Sequence, residues 1–173
     1  GLMGSIASLT LDSNGIFGEL YGNGDVKEVD KFVREVQPFL DALKTSSITS
    51  LSLRGTGMGV KGVAAVGDAI RAMASVTALV LDEGELSGTK IKYKGESYEE
   101  IGQLDADLSG FEALCLALAS SQIITLSLKK CYLGPQAIAL LADATSKMAS
   151  IARISVLSNP IGVEGATALI DVY

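Results

Sequence analysis

The sequence predicts an α/β fold in which short parallel strands alternate with helices in a repeating array. Three observations support this: an aliphatic pattern recurs five times with one internal spacing, a glycine-bearing loop follows each copy, and apolar residues at helical spacing follow the loops. A chain of 173 residues, 48% apolar and 20% charged, suits one globular unit with one core. We therefore expect a single domain over residues 1–173.

The repeated pattern is aliphatic-x-x-aliphatic-x-aliphatic, and its last three positions alternate as in a strand with one buried face. The copies start at Ile6, Ile48, Val76, Ile123 and Ile151. These starts lie 42, 28, 47 and 28 residues apart, which indicates a 28-residue unit with insertions in the first and third copies. The predicted units are residues 6–47, 48–75, 76–122, 123–150 and a truncated 151–173.

A helix is predicted after the loop of each unit. Apolar residues recur every three or four positions from Val63 to Met73 in the second copy and from Ile138 to Met148 in the fourth. One such unit cannot cover its own apolar strand face, but stacked units can, with neighbouring strands about 4.8 Å apart. The predicted product is a right-handed solenoid with parallel strands on its concave face and helices on its convex face.

At these residues the chain resembles the leucine-rich repeat proteins, whose pattern is Leu-x-x-Leu-x-Leu-x-x-Asn/Cys-x-Leu. The ninth position holds Asn14, Thr56, Gly84, Cys131 and Asn159. The resemblance implies that the Asn and Cys side chains bond to backbone groups of the turn, with Thr56 a weak substitute and Gly84 a departure. The 28-residue unit with a true helix is similar to the ribonuclease-inhibitor-like subclass, although that subclass is rich in cysteine and this chain has two.

A longer repeat underlies these units. The second and fourth copies begin alike and end alike, with Met73-Ala74-Ser75 and Met148-Ala149-Ser150, so long and short units alternate with a period of about 75 residues. The fifth copy is a long unit cut off inside its helix. We expect the natural chain to continue beyond both ends, because neither end carries the polar capping unit that solenoids need for solubility.

The first insertion begins with a glycine-rich segment, 17–24, in which Phe17 and Tyr21 are expected to be exposed. Apolar residues at helical spacing then run from Val26 to Leu43, and Pro38 is predicted to kink this helix. We expect this insertion to lie on one rim of the solenoid.

The insertion of the third copy, 87–110, has a basic start and an acidic end, which are expected to fold on each other. Lys92, Tyr93 and Tyr98 lie in it. One interpretation is a solvated excursion; the other is a contact surface on the same rim, because binding residues concentrate in loops and aromatic residues are enriched in interfaces.

Charged residues of alternating sign follow the predicted strands on the concave face, namely Arg54, Asp82, Glu83, Lys129 and Lys130. One interpretation is a ladder of surface ion pairs, which we expect for Arg54 with Asp82. The other is a polar surface complementary to a charged partner, which we expect of Lys129 and Lys130.

The run Gly57-Met58-Gly59-Val60-Lys61-Gly62 has the order of a dinucleotide-binding fingerprint, and Asp82 follows twenty residues later at the end of the next predicted strand. The corresponding loops 133–137 and 161–165 also contain glycine, so the repeated turn itself explains Gly59 and Gly62 better. A nucleotide-dependent enzyme that uses this loop is kept as an alternative.

Composition excludes several classes of function. The chain has no histidine, so neither an imidazole base nor a zinc site that uses His is available. Its formal charge of −6 would repel nucleic acid, and its longest uncharged stretch, 113–128, is too short to span a membrane. Cys115 and Cys131 are too few for a disulfide-stapled secreted scaffold, which favours an intracellular protein with both thiols buried.

These observations predict a non-catalytic module, without metal or cofactor, that binds another protein through its concave face and its loop-bearing rim. Such a module acts as a scaffold or as a subunit of a larger complex. The resemblance to leucine-rich repeat proteins adds a regulator of a small GTPase as a further alternative, although the fold alone supplies no site for that role.

Overall fold

The computed structural model describes residues 6–93 and 99–172. Its strands are β1 (Ser8–Thr10), β2 (Glu19–Leu20), β3 (Val26–Glu28), β4 (Ser50–Ser52), β5 (Ala78–Val80), β6 (Ile91–Tyr93), β7 (Glu99–Ile101), β8 (Thr125–Ser127) and β9 (Arg153–Ser155). Its helices are α1 (Gln37–Lys44), α2 (Val60–Ile70), α3 (Ser109–Leu118), α4 (Pro135–Ser146) and α5 (Gly162–Ile170).

Five strands form one parallel sheet in the order β1-β4-β5-β8-β9. Leu51 is paired with Leu9 on one side and with Leu79 on the other, and the same register continues to Leu126 and Ile154. Parallel pairing of the repeated strands in chain order is therefore confirmed. Each strand begins one residue before the alternating segment that the sequence marks.

The helices pack against one face of this sheet and enclose the core. The middle residue of each inner strand, Leu51, Leu79 or Leu126, is at most 1% exposed. It shares a continuous apolar core with helix residues such as Val63 of α2 and Leu141 of α4. Because side chains alternate along a strand, the residues on either side of it point to the opposite face of the sheet, which the helices leave uncovered.

The first insertion differs from its prediction. Phe17 is fully buried rather than exposed. Val26 lies in β3, which forms an antiparallel hairpin with β2, so the helix predicted from this residue is wrong. Asp30 has a φ of 58°, a left-handed conformation that a helix cannot pass through. Helix α1 begins only at Gln37, and Pro38 lies in its first turn, where a missing N–H loses no helical hydrogen bond, so the predicted kink is wrong as well.

The insertion of the third copy forms the antiparallel hairpin β6-β7. Lys92 on its basic strand is paired with Glu100 on its acidic strand, which confirms that the two ends of this segment fold on each other. Tyr98 lies outside the described residues.

A residue with positive φ recurs at the same place in every unit, three positions after the last residue of the strand. Ser13, Gly55, Glu83, Lys130 and Ser158 have φ values between 52° and 61°. For residues other than glycine this conformation costs about 1 to 2 kcal/mol. Since five different sequences share it, the turn is imposed by the packing of the unit rather than by local preference.

The ninth position of the repeat supports this turn through hydrogen bonds. The Asn159 side-chain oxygen accepts hydrogen bonds from the backbone N–H groups of Cys131 (2.8 Å) and Leu133 (3.1 Å). The Thr56 hydroxyl donates to the Leu53 carbonyl at 2.9 Å. At Gly84 a Cβ atom would lie 2.7 Å from the end of the Leu86 side chain and 3.1 Å from the Met58 carbonyl oxygen, so a side chain there would require Leu86 to move.

Among the described residues, no helix is long and apolar enough to cross a membrane. The longest, α4, has 12 residues, whereas a bilayer core requires about 20.

Candidate functional site

The sheet face without helices, here named the open face, carries mostly small polar side chains. Its outward residues are Ser8, Thr10, Ser50, Ser52, Ala78, Val80, Thr125, Ser127, Arg153 and Ser155. At the carboxyl ends of the strands the row of equivalent residues Asp12, Arg54, Asp82, Lys129 and Leu157, here named the carboxyl row, borders this face. The common register of the strands brings the residues of each row side by side.

Asp12 links the first strand of the sheet to the second. Its Oδ1 accepts hydrogen bonds from the Ser52 hydroxyl (2.5 Å) and from the Arg54 backbone N–H (3.1 Å). Both bonds are assisted by the carboxylate charge and are therefore stronger than neutral ones. Asp12 thus holds the first unit against the second through these two hydrogen bonds, a role that the repeat pattern alone does not predict.

Asp82 repeats this link between the third and fourth units. Its Oδ1 accepts hydrogen bonds from the Ser127 hydroxyl (2.7 Å) and the Lys129 backbone N–H (2.8 Å), and the residue is only 8% exposed. The sequence suggested an exposed charge facing a partner. The structure instead shows that Asp82 joins two neighbouring strands of the sheet through hydrogen bonds.

The guanidinium of Arg54 pairs with Glu83 at 3.0 Å, so the ion pair predicted between Arg54 and Asp82 is wrong. Glu83 also lies 3.6 Å from the ammonium of Lys130. The hydrogen bond from Arg54 lowers the pKa of Glu83, and the same bond raises the pKa of Arg54. The Glu83 carboxylate therefore forms ion pairs with two cations, Arg54 and Lys130, on this border of the open face.

Lys129 is half-buried and makes no ion pair within the described part of the chain, while Lys130 has 64% of its side chain exposed. Arg153, at the start of β9, is exposed on the open face. The sheet therefore has its unneutralised cations at the β8-β9 side.

The loop with the dinucleotide-like fingerprint is already occupied by a carboxylate of the chain itself. Asp30 accepts hydrogen bonds from the backbone N–H groups of Gly59 (2.8 Å), Lys61 (2.7 Å) and Gly62 (2.9 Å). These amides at the start of α2 are the donors that a bound phosphate would use. The glycines serve close packing, because a Cβ at Gly57 would lie 2.7 Å from the Gly18 Cα.

Asp105 does the same at the start of α4. It accepts hydrogen bonds from the N–H groups of Gly134 (2.8 Å), Gln136 (2.9 Å) and Ala137 (3.1 Å). The sequence analysis missed both of these helix caps. The available signal was their spacing, since Asp30 and Asp105 each stand 29 residues before the glycine that precedes the capped helix.

The two hairpins belong to the insertions that are bonded to the turns after the strands, where the Gly18 N–H donates to the Thr56 carbonyl and the Thr89 hydroxyl donates to the Tyr132 carbonyl. Tyr21, between β2 and β3, is 55% exposed. At the base of this hairpin Glu19 forms ion pairs with Lys27 and Lys31, and these hydrogen bonds lower its pKa to about 2. In the other hairpin Lys92 is exposed and Tyr93 ends β6.

Both cysteines are buried free thiols. Burial raises the pKa of Cys115 and of Cys131 to about 12, so neither forms a reactive thiolate near neutral pH. Within residues 6–93 and 99–172, no group of three or more Cys, Asp and Glu side chains is arranged to hold a metal ion.

No protein-family model matches the chain, and no curated protein matches it. Among solved structures, the leiomodin-1 actin-binding site 2 (ABS2) is similar, with a TM-score of 0.63 and 12% sequence identity over 96% of this chain and 78% of that chain. That neighbour has a leucine-rich-repeat-like fold. The parallel sheet with its helices is compatible with the same fold, and at this level of identity the likeness concerns fold alone.

Proposed function

We propose that this chain is a leucine-rich-repeat-like solenoid, of the ribonuclease-inhibitor-like subclass, and a non-catalytic module that binds a protein partner through the open face and the neighbouring hairpins. The observation that carries the proposal is the open face itself, a five-stranded sheet surface that none of the helices in the described ranges covers and that is bordered by exposed charges. Extended surfaces of this kind are what stacked repeats offer to partners.

The side chains of the open face favour contact with another protein. Residues such as Ser50, Ser52 and Thr125 are short and polar, so a partner can approach the sheet closely and still form hydrogen bonds. Arg54 and Lys130 extend from its border and can set the register of a charged partner. The exposed Tyr21 enlarges the contact area on the rim.

The similar solved structure supports a protein-binding role, since its name describes it as an actin-binding site. Actin is one partner to test, alongside the small GTPase that the repeat resemblance adds. The two buried free thiols suit a reducing, intracellular setting, in which the chain would serve as a scaffold or a complex subunit.

A nucleotide-dependent enzyme is the weaker candidate. The three amides that would hold a phosphate are bonded to Asp30, and a second anion there would be repelled by that carboxylate. We therefore propose no catalytic residue.

The test is to purify the natural full-length protein from the cells that make it, identify the proteins that copurify, and measure their affinity for defined variants. The open-face variant combines Arg54→Glu, Lys129→Glu and Lys130→Glu. The rim variant replaces residues 93–99 by Asn-Gly, a two-residue turn that joins the paired Lys92 and Glu100 and leaves the Asp105 cap in place.

A helix-side control carries Arg71→Glu and Lys147→Glu, two exposed positions away from the sheet. We expect the open-face variant to bind at least about tenfold more weakly and the control to bind as the parent chain does. A partner that binds the open-face and rim variants with parental affinity contradicts the proposal.

A further inference from the structure

The alternation of charge along the carboxyl row breaks at its last position. Asp12 and Asp82 end the strands of the first and third units, and each accepts hydrogen bonds from the unit that follows. The fifth unit is of the same long type, but Leu157 occupies the equivalent position. This leucine is 65% exposed.

The missing carboxylate changes the charge balance around the two basic residues of the row. Arg54 has Asp12 and Asp82 on its two sides and Glu83 as its ion-pair partner. Lys129 has Asp82 on one side only, and that carboxylate is bonded to the Ser127 hydroxyl and to the Lys129 backbone N–H. The positive charge of Arg54 in the second unit is therefore balanced by nearby carboxylates, whereas the positive charge of Lys129 in the fourth unit is not.

Lys130 adds to this excess of positive charge. Among residues 6–93 and 99–172, its one ion-pair partner is Glu83, which lies 3.6 Å away and binds Arg54 at the shorter distance of 3.0 Å. The Lys130 backbone N–H donates to the Leu157 carbonyl at 3.0 Å, so the exposed lysine and the exposed leucine lie on adjacent strand ends. Two cations and one large apolar side chain thus share a small surface.

We infer that Lys129, Lys130 and Leu157 form an anchor for a partner segment that carries a carboxylate next to an aliphatic or aromatic side chain. The inference rests on the proposed function and names the partner chemistry of the open face. In this anchor the Leu157 side chain packs against the apolar side chain of the partner, and the two lysines pair with the carboxylate of the partner. Arg153, exposed on the open face at the other end of β9, extends the basic surface for a segment that lies along the strand.

The charge of the whole chain makes such an anchor selective. At a formal charge of −6 the chain repels acidic segments over most of its surface, so an acidic partner is favoured where the balance is locally reversed. An exposed apolar side chain beside the cations adds apolar contact area that a purely ionic site lacks.

The test is a selection from a displayed library of random 12-residue peptides on the parent chain. Enriched peptides are then synthesised, and their affinities are measured for three variants by fluorescence anisotropy. Leu157→Asp restores the carboxylate that the alternation calls for, Lys129→Glu with Lys130→Glu reverses the cations, and Arg71→Glu with Lys147→Glu is the helix-side control. Thermal unfolding of each variant checks that it folds.

We expect the enriched peptides to place Asp or Glu within two residues of Leu, Ile or Phe. Their affinity should fall at least about tenfold for Leu157→Asp and for the lysine variant, and should stay within about twofold for the variant with Arg71→Glu and Lys147→Glu. Failure to enrich peptides, enrichment without this pairing, or unchanged binding to Leu157→Asp overturns the inference.

The outcome also separates this inference from the proposed function. Peptides that lose affinity for the variant with Lys129→Glu and Lys130→Glu but not for Leu157→Asp overturn the inference and leave the proposed function standing. Peptides that lose affinity only for the helix-side control variant with Arg71→Glu and Lys147→Glu argue against both, because they place binding on the opposite side of the molecule.

Discussion

Asp30 and Asp105 occupy equivalent positions in the two halves of the chain, and each carboxylate accepts three backbone hydrogen bonds at the start of the next unit's helix. Both residues have positive φ, 58° and 52°. Each comes from the insertion of a long unit and caps the helix of a short one. The insertions therefore fasten neighbouring units together in addition to extending the rim.

Removing these caps should destabilise the fold. Asp30→Ala leaves three amides without their acceptor and is expected to lower the free energy of unfolding by about 1 to 2 kcal/mol. Asp105→Ala should cost about 2 to 3 kcal/mol, because Asp105 is only 9% exposed and its buried amides are less able to bond to water. Urea unfolding followed by circular dichroism measures both values.

Asp25→Ala is the matched control, since Asp25 is exposed in the β2-β3 turn and caps no helix. It should change stability by less than about 0.5 kcal/mol. Equal effects at Asp25 and Asp30 would contradict the capping role.

The sequence was sufficient to predict the sheet because the repeat fixes which residues share a register. Leu51, Leu79 and Leu126 occupy the same position of the repeated pattern. Because the units stack, equivalent positions pair side by side and take equivalent places in the core. The segment after Val26 was misread because its aliphatic spacing suits a helix. The hydrogen bonds between Asp30 and the start of α2 outweigh that local preference. They join residues that lie 29 to 32 positions apart in the chain, so the local pattern does not reveal them.

The candidate site could be predicted only in part for a similar reason. The sequence places Arg54, Lys129 and Lys130 correctly after their strands. It cannot show that Asp82 is bonded to the neighbouring strand, because the hydroxyl that binds it belongs to Ser127, 45 residues further along the chain. Charge pairs across parallel strands depend on side-chain direction, which a repeat pattern does not specify.

Gly57 should be intolerant of substitution for a packing reason. Its φ is 73°, and a Cβ there would lie 2.7 Å from the Gly18 Cα and 2.8 Å from the Gly18 nitrogen. Gly57→Ala is expected to lower the free energy of unfolding by about 2 to 4 kcal/mol, from left-handed strain together with displacement of the first hairpin. Thermal and urea unfolding measure the loss.

Gly22→Ala provides the control, because a Cβ at Gly22 meets nothing within 4 Å.

Adding NAD to the parent chain should leave its melting temperature unchanged, because the amides of the loop 57–62 are bonded to Asp30. A melting shift with NAD that Asp30→Ala enlarges would instead support a nucleotide site.

The two thiols should be protected in the folded chain. Burial raises the pKa of both Cys115 and Cys131 to about 12, so at pH 8 the thiolate fraction is very small. A thiol reagent such as 5,5′-dithiobis(2-nitrobenzoate) should label neither residue within minutes in native buffer and both in 6 M guanidinium chloride. Fast labelling of either cysteine in the native chain would show that the helices open locally far below the global unfolding energy.

The ion pair between Arg54 and Glu83 should be visible in the titration of that carboxylate. The hydrogen bond from Arg54 lowers the pKa of Glu83 below its ordinary value of 4.5. A group whose folded pKa is depressed adds stability above its unfolded pKa and loses it as pH falls through the folded pKa. Arg54→Met should therefore return the pKa of Glu83 toward 4.5 in a carbon-13 carboxyl titration.

The stability difference between the parent and Arg54→Met should be present at pH 7, should shrink once pH falls below 4.5, and should vanish below the folded pKa of Glu83, where this carboxyl is protonated in both states. Lys130→Met is the comparison variant. Its ammonium lies farther from Glu83, at 3.6 Å against 3.0 Å for the Arg54 guanidinium, so the shift it causes should be the smaller of the two. A larger shift for Lys130→Met would mean that Glu83 turns to the fourth unit in solution and that Lys130 is less available to a partner than the structure indicates.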